Sequence, residues 1–485
     1  GGILRMFYLV LAISSGIIGG LLAAAIPKDK NRMRKYIVLI FSALGAFFCW
    51  RVAAFVFSGE SVELSIELGS LNLYIKPDPL GAVFGLIAST LWLFTSVYSF
   101  GYMAGKHKQR TFYAFFLLSL GMTVGVAFSG NLLALYLFYE MLTFSTYPLV
   151  IHERGPDAMK AGAKYIIYNL SGAGAILIAI IETYSLAGKL DFTGGPILAG
   201  LSAGGLNWLL ALFIVGFGVK AAIMPLHRWL PAAMVAPTPV SALLHAVAVV
   251  NSGVFGVLRV IYSVFGHELA GQLRISAVLP WIAAFTILAG IIIAARKDIL
   301  KQRLAYQTVS HLSYSLLGAF ILQEWGLAGA VMHMICYSTL KITLFFCAGI
   351  ISELAGETRI SKMKGVGPSL PVTMSMFAAA VLGMIGMLPL NTFWSKYYLM
   401  KGSVAAGNWI LALVFIASGI INAACFIPIV VNAFSGEKVR PQSERGARAV
   451  LMLAPIVILV VFAIIIGLYP GIVWPGVEAV VNCYF

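Results

Sequence analysis

The sequence predicts an all-α polytopic membrane protein with about fourteen transmembrane helices, two of them broken. Three observations lead there. First, 60% of the 485 residues are hydrophobic and 11% are charged, whereas soluble domains hold roughly 45–50% and about 25%. Second, mean hydropathy is +0.94, which excludes a soluble enzyme. Third, fourteen apolar runs approach the roughly 20 residues a membrane helix needs, and the short loops between them alternate in charge.

The runs justify themselves in order. Run 5–26 has no charged leader or cleavage site, so it reads as a retained span and not as a signal peptide. Loop 27–35 carries Lys28, Lys30, Arg32, Arg34 and Lys35 and leads to run 36–57. Loop 58–77 carries Glu60, Glu63 and Glu67 and leads to run 78–104. Loop 105–110, with Lys106, Lys108 and Arg110, precedes runs 111–129 and 131–151. Runs 161–187, 205–224, 236–265 and 275–295 follow. Loop 296–303, with Arg296, Lys297, Lys301 and Arg303, leads into run 299–320, and run 325–352 comes next. Loop 353–365 carries Arg359, Lys362 and Lys364 ahead of runs 370–400 and 405–434. Loop 435–448, with Lys438, Arg440, Arg445 and Arg448, precedes run 449–472.

With fourteen spans, every basic loop falls on one side. Positive loops stay in the cytoplasm, so both termini are expected on the non-cytoplasmic side of the cell (inner) membrane. The net charge of +15 is then a property of loops and does not indicate a nucleic-acid partner. No loop exceeds about 20 residues, which leaves no room for a soluble domain. Motifs for ATP, dinucleotides or zinc are absent, and the five cysteines form no metal-ligand spacing. The expectation is therefore no cofactor and no metal on this chain, with energy coming from an ion gradient or a partner. Whether the chain belongs to an enzyme stays open.

A charge at mid-membrane costs at least about 2.5–3.5 kcal/mol, so each one asks for a reason. Glu140, Lys220, Lys341 and Lys396 lie well inside runs, with Lys164, Glu182 and Arg259 nearer the ends. Glu140 is either half of one structural ion pair or a titrating group governed by a nearby lysine. Lys220 precedes Pro225, and Lys396 follows Pro389. Proline removes a backbone donor, so interruptions are expected near 221–226 and 386–391, where polar groups and water collect. His333, Tyr337 and Lys341 share one helical face by their spacing of four. His311 stands among Thr308, Ser310, Tyr314 and Ser315, and His245 stands six residues before Asn251. A buried histidine is often only a satisfied core residue. Three at mid-span, with one acid and three amines, also fit a proton path.

At these residues the sequence resembles the antiporter-like subunit family. That family is shared by respiratory complex I, Mrp-type cation/proton antiporters (Mrp-D-like chains above all) and membrane-bound hydrogenase or formate hydrogenlyase complexes. The resemblance spans about residues 75–435. It rests on LYLFYE, FGVKAAIMPLHRWLP, APTPVSALLHA, LAYQTVSHLSY, H-x7-K-x3-F at 333–345, and G-x2-PLNTFWSK. It implies two inverted five-helix repeats, at 105–266 and 267–435, between helices 1–3 (1–104) and a last helix (436–485). It also implies proton translocation by Glu140, Lys220, Lys341 and Lys396. The path residues would be His245, His311, His333, Tyr337, Asn251 and Lys164. Departures stand at Asn251, where many relatives carry Lys, at Ala232-Ala233, and at Tyr337, where a second His is common.

The implied function is a proton-translocating subunit of a multisubunit complex, with Na+ exchange left open. Implied partners are further antiporter-like membrane subunits, peripheral redox subunits and lipid. The alternatives are an energy-coupling subunit of an inorganic-carbon uptake complex, or a non-conducting scaffold.

Overall fold

The computed structural model describes residues 2–69, 71–437, 444 and 446–485. Lys438, Arg440 and Arg445 of the last basic loop lie outside the described residues. The chain is mostly helical, and among the described residues ten helices are long and apolar enough to cross a membrane.

Helices α1 (Gly2–Ala25) and α2 (Asn31–Phe57) form a hairpin against α4 (Gln109–Ala127). The start of α2 absorbs Arg32, Arg34 and Lys35, which charge patterning alone assigns to a loop. Between α2 and α3 (Pro79–Tyr102) stands an antiparallel hairpin, β1 (Leu64–Leu68) and β2 (Leu71–Ile75). The chain is therefore not all-α. The hairpin is hard to see in the sequence because its alternation is short and its acidic residues resemble those of a plain loop. Helix α3 starts where Asp78 accepts from the Gly81 amide with Pro79 at the first position, and α5 (Leu132–Val150) starts on Asn131 in the same way.

Helix α6 (Pro156–Ala187) precedes α7 (Asn207–Lys220), which stops four residues earlier than the hydropathy indicates. After it the chain winds through the short α8 (Trp229–Ala232) into α9 (Thr238–Ala246) and α10 (Val249–Arg259). The short α11 (His267–Gln272) leads to α12 (Leu279–Ala295), α13 (Leu300–Phe320) and α14 (Glu324–Ile350). The one-turn α15 (Val366–Ser369) precedes α16 (Pro371–Ile385). A second interruption separates α16 from α17 (Thr392–Ala405). Helices α18 (Trp409–Phe434), α19 (Ala447–Leu468) and α20 (Trp474–Tyr484) complete the chain.

Helix α14 is the spine. Almost every residue from Gly326 to Ile350 is buried, packed against α3, α9, α13, α16, α17 and α19.

Both proline-marked interruptions are present, around Pro225 and Pro389. A third, not expected from the sequence, divides α9 from α10 at Val247 and Ala248. It contains neither proline nor glycine. Its carbonyls are taken up by side chains: Asn251 donates to the Ala246 carbonyl at 2.8 Å, and Tyr337 donates to the His245 carbonyl at 2.9 Å.

Each proline-marked interruption has a glycine from another helix pressed on it. A Cβ on Gly253 of α10 would stand 2.2 Å from the Ala221 amide, and one on Gly467 of α19 would stand 1.9 Å from the Pro389 carbonyl oxygen. Neither backbone contact can yield cheaply. Gly253→Ala and Gly467→Ala should each lose about 1–3 kcal/mol through overpacking, read as a lowered unfolding midpoint in detergent. Gly174→Ala, whose added Cβ would meet nothing within 4 Å, should be neutral or slightly stabilising.

Candidate functional site

A line of buried polar groups runs through the interior at the level of the interruptions. Lys220 is the last residue of α7 and is fully buried. Its ammonium donates to the Tyr139 carbonyl at 2.6 Å and lies 3.2 Å from the centre of the Tyr139 ring. Glu140 is the next residue of α5, so acid and amine do come from different helices. They form no direct ion pair. Tyr139 has taken the ammonium, and Oε1 of Glu140 is buried without a hydrogen-bond partner among the described residues. The Tyr139 hydroxyl is also buried and unpartnered among them. Buried polar groups of this kind are where ordered water is expected.

His245, in the last turn of α9, packs on Phe345 with ring centres 5.1 Å apart. Both of its ring nitrogens are buried and unpartnered among the described residues. Asn251 is occupied as a donor to Ala246 and, at 2.8 Å, to Ser338. In the structure its amide holds the third interruption together.

The second half is more tightly connected. Lys341 of α14 donates to the Leu304 carbonyl at 2.6 Å and to Oε1 of Gln307 at 2.7 Å. Gln307 donates to Oδ1 of Asn422 at 2.8 Å. Asn422 meets Nε2 of His311 at 3.0 Å, and Nδ1 of His311 meets Nε2 of His333 at 3.4 Å. Nδ1 of His333 meets the Ser395 hydroxyl at 2.9 Å, which donates in turn to the Thr392 carbonyl at 2.9 Å. Lys396, one residue on, donates to the carbonyls of Met384 (3.1 Å) and Ile385 (2.6 Å) at the open end of α16. Asn422 reaches the same Met384 carbonyl at 3.2 Å.

This run has one direction. An ammonium only donates, so Oε1 of Gln307 must accept and its amide nitrogen must donate onward. The same logic passes through Asn422, whose nitrogen can only donate, so Nε2 of His311 is bare. The His311 proton then sits on Nδ1 and points at His333, and the His333 proton points at Ser395.

The sequence-predicted residues are thus only partly gathered. Lys341, His311, His333 and Lys396 share one network, with Tyr337 alongside, its ring 5.7 Å from both imidazoles. Lys220 and Glu140 form a separate group around Tyr139, and His245 and Asn251 lie between. Lys164 sits on the exposed face of α6, away from the buried line. Pro225 and Pro389 lie in the interruptions, each after a cis peptide bond. Sequence reasoning passes over Gln307, Asn422 and Ser395. Asn422 is a lone polar side chain in an apolar stretch, whereas Gln307 and Ser395 stand among other polar residues that mask them. Charges stand out more because they cost more to bury.

Another buried charge, Arg259, serves a different purpose. It is bidentate to Asp78 and also reaches the Tyr484 hydroxyl at 3.0 Å. It ties the start of α3 to α10 and to the C-terminal α20.

Residues 129–422 match the family described as "NADH:quinone oxidoreductase/Mrp antiporter, TM". A curated relative, NADH-quinone oxidoreductase subunit N of Desulforudis audaxviator, is 33% identical over 410 residues, covering 81% of each chain. A Na(+)/H(+) antiporter subunit of Alkalihalophilus pseudofirmus is 25% identical, covering 83% of this chain and 82% of its own. Among solved structures, a chain of the Mrp complex from Dietzia sp. superposes with a TM-score of 0.89 at 18% identity, over 99% of this chain and 97% of that one. At that identity the likeness establishes the fold.

Asn422 joins Gln307, His311 and a main-chain carbonyl. Asn422→Leu should therefore strand several buried groups and cost about 2 kcal/mol or more, seen as a lower unfolding midpoint. Ser313→Ala removes a buried hydroxyl that has no partner among the described residues and should leave the midpoint unchanged.

Proposed function

The chain belongs to the NADH:quinone oxidoreductase/Mrp antiporter transmembrane family, and from that premise we propose that it translocates protons as one membrane subunit of a multisubunit complex. The observation that carries the proposal is the buried run from Lys341 through His311 and His333 to Ser395, ending beside Lys396 at an interrupted helix. Titratable groups, freed carbonyls and hydroxyls stand there within hydrogen-bond steps of one another, as proton transfer requires.

In this reading Glu140 and Lys220 take up the proton around Tyr139. The unpartnered nitrogens of His245 pass it through water to Lys341, and His311 and His333 carry it toward Lys396. The amides of Gln307 and Asn422 cannot titrate, so they orient the imidazoles while water carries the charge past them. Asn251 and Tyr337 keep the middle interruption open. Lys164, on the outer face, serves contact with lipid or a neighbouring subunit. Na+ is a candidate counter-cargo, since relatives are named as Na(+)/H(+) antiporter subunits.

The reading carries an architecture with it: fourteen crossing elements, with inverted five-helix repeats at 105–266 and 267–435 and flanking segments 1–104 and 436–485. It also carries a location in the inner membrane with both termini on the non-cytoplasmic side, and partners among further antiporter-like and redox subunits.

The test is proton flux in proteoliposomes holding the intact complex. Lys341→Ala should abolish coupled transport, and Glu140→Gln should do nearly the same. Asn251→Ala should cost less, because its role is to hold a backbone break. Full transport in Lys341→Ala would rule out conduction through the second half.

A further inference from the structure

Three turns meet at one end of the first six helices: α1 to α2, α3 to α4, and α5 to α6. They enclose a cavity of about 680 Å³. Six full cations line it: Lys28, Arg34, Lys106, Lys108, Arg110 and Arg154, with His107 among them. No carboxylate belongs to the lining among the described residues.

Two of the six are already used. Arg34 is buried and donates to the carbonyls of Ala23, Ile26 and Pro27. Lys106 pairs with Glu353 at 2.5 Å. The other four are exposed and under-occupied. Lys108 reaches only the His152 carbonyl, at 3.3 Å. Arg110 uses Nε on the Ala24 carbonyl and keeps the rest of its fork free. The side chains of Lys28 and Arg154 have no hydrogen-bond or ion-pair partner among the described residues. The nearby carboxylate of Glu153 is engaged with His107 at 3.5 Å. So many like charges around one concavity repel one another unless an anion enters. The first turn of α4 forms part of the wall, and its amide end adds a smaller positive field.

The surroundings say what kind of anion. The cavity lies at the basic-loop end of the helices. Next to it α1 exposes Leu21 and Leu22, and α2 exposes Met33, Tyr36 and Ile40. These apolar faces lead away from the cavity and suit acyl chains, while the basic turns suit a phosphate. Basic pockets between membrane helices on the cytoplasmic side hold lipid headgroups in this way. A cation is the competing occupant, since His107, His152 and Glu153 bring ligand atoms within 4.8 Å of one another. Four uncompensated cations around that trio oppose it.

We propose that this cavity binds phosphate, supplied by the headgroup of an anionic phospholipid. The test follows lipid retention by the purified full-length chain with native mass spectrometry, using dioleoyl phosphatidylglycerol, dioleoyl phosphatidylcholine and inorganic phosphate as probes. Phosphatidylglycerol should be retained in preference to phosphatidylcholine, and inorganic phosphate at high concentration should compete with it. Lys108 and Arg154 both have positive φ, 53° and 55°, which asparagine tolerates. The double variant Lys108→Asn/Arg154→Asn should weaken phosphatidylglycerol binding about thirty-fold for the two charges lost. Lys28→Gln/Arg110→Gln should weaken it comparably without touching those two backbone positions. Equal retention of the two lipids would overturn the proposal, as would unchanged phosphatidylglycerol binding in both double variants. Binding of inorganic phosphate without lipid preference would remove the headgroup as its source. Stabilisation by Zn2+ alone, lost in His107→Gln, would make the cavity a cation site.

Discussion

Three ammonium groups lie inside apolar helices, and each is held by main-chain carbonyls and not by a carboxylate. Lys220 has Tyr139, Lys341 has Leu304, and Lys396 has Met384 and Ile385. The rest of the interior is organised around this constraint. A carbonyl offers partial negative charge, which helps replace lost hydration without fixing the amine in one protonation state. A carboxylate would leave an uncompensated anion whenever the proton departed, which is costly in low dielectric. A carbonyl has no such memory of the proton, and a neutral amine can still donate to it.

Tyr139 and Leu304 lie inside α5 and α13 and offer the second lone pair of their carbonyls. Lys396 instead uses carbonyls freed where α16 ends, so the interruptions too have to be held firmly. Gly253 and Gly467 press directly on the two proline-marked breaks. The Trp394 indole adds a hydrogen bond to the Gly467 carbonyl at 2.8 Å. Helix α14 supplies the complementary rigid element, unbroken from Glu324 to Ile350, with His333, Tyr337, Ser338 and Lys341 facing the polar line. Backbone carbonyls thus come from continuous and interrupted helices alike, and α14 presents side chains to them.

Much of this is legible in the sequence. Lys220, Lys341 and Lys396 stand out because a charge in an apolar run is expensive, and Pro225 and Pro389 locate two interruptions because proline lacks a donor. What stays hidden has physical reasons as well. The break at Val247–Ala248 is stabilised by Asn251 and by Tyr337 from a helix far along the chain, and it holds no proline or glycine to mark it. Gln307 and Asn422 are neutral, and their importance lies in which neighbours they join. The exposed side of α6 cannot be told from its buried side by Lys164 alone, since both faces are apolar. Asp78 reads only as the first residue of run 78–104 until Arg259, 181 positions later, is seen against it.

The run from Lys341 to Ser395 consists of two amides and two imidazoles whose dipoles are all aligned head to tail. Each member's orientation is dictated by its neighbour, so one cannot turn over alone without setting two donors or two acceptors face to face. Reversal would also turn Oδ1 of Asn422 onto the Met384 carbonyl, acceptor against acceptor. A main-chain carbonyl thus locks the polarity of the row from Lys341 to Ser395, and the row acts as a fixed internal field and not as a switch.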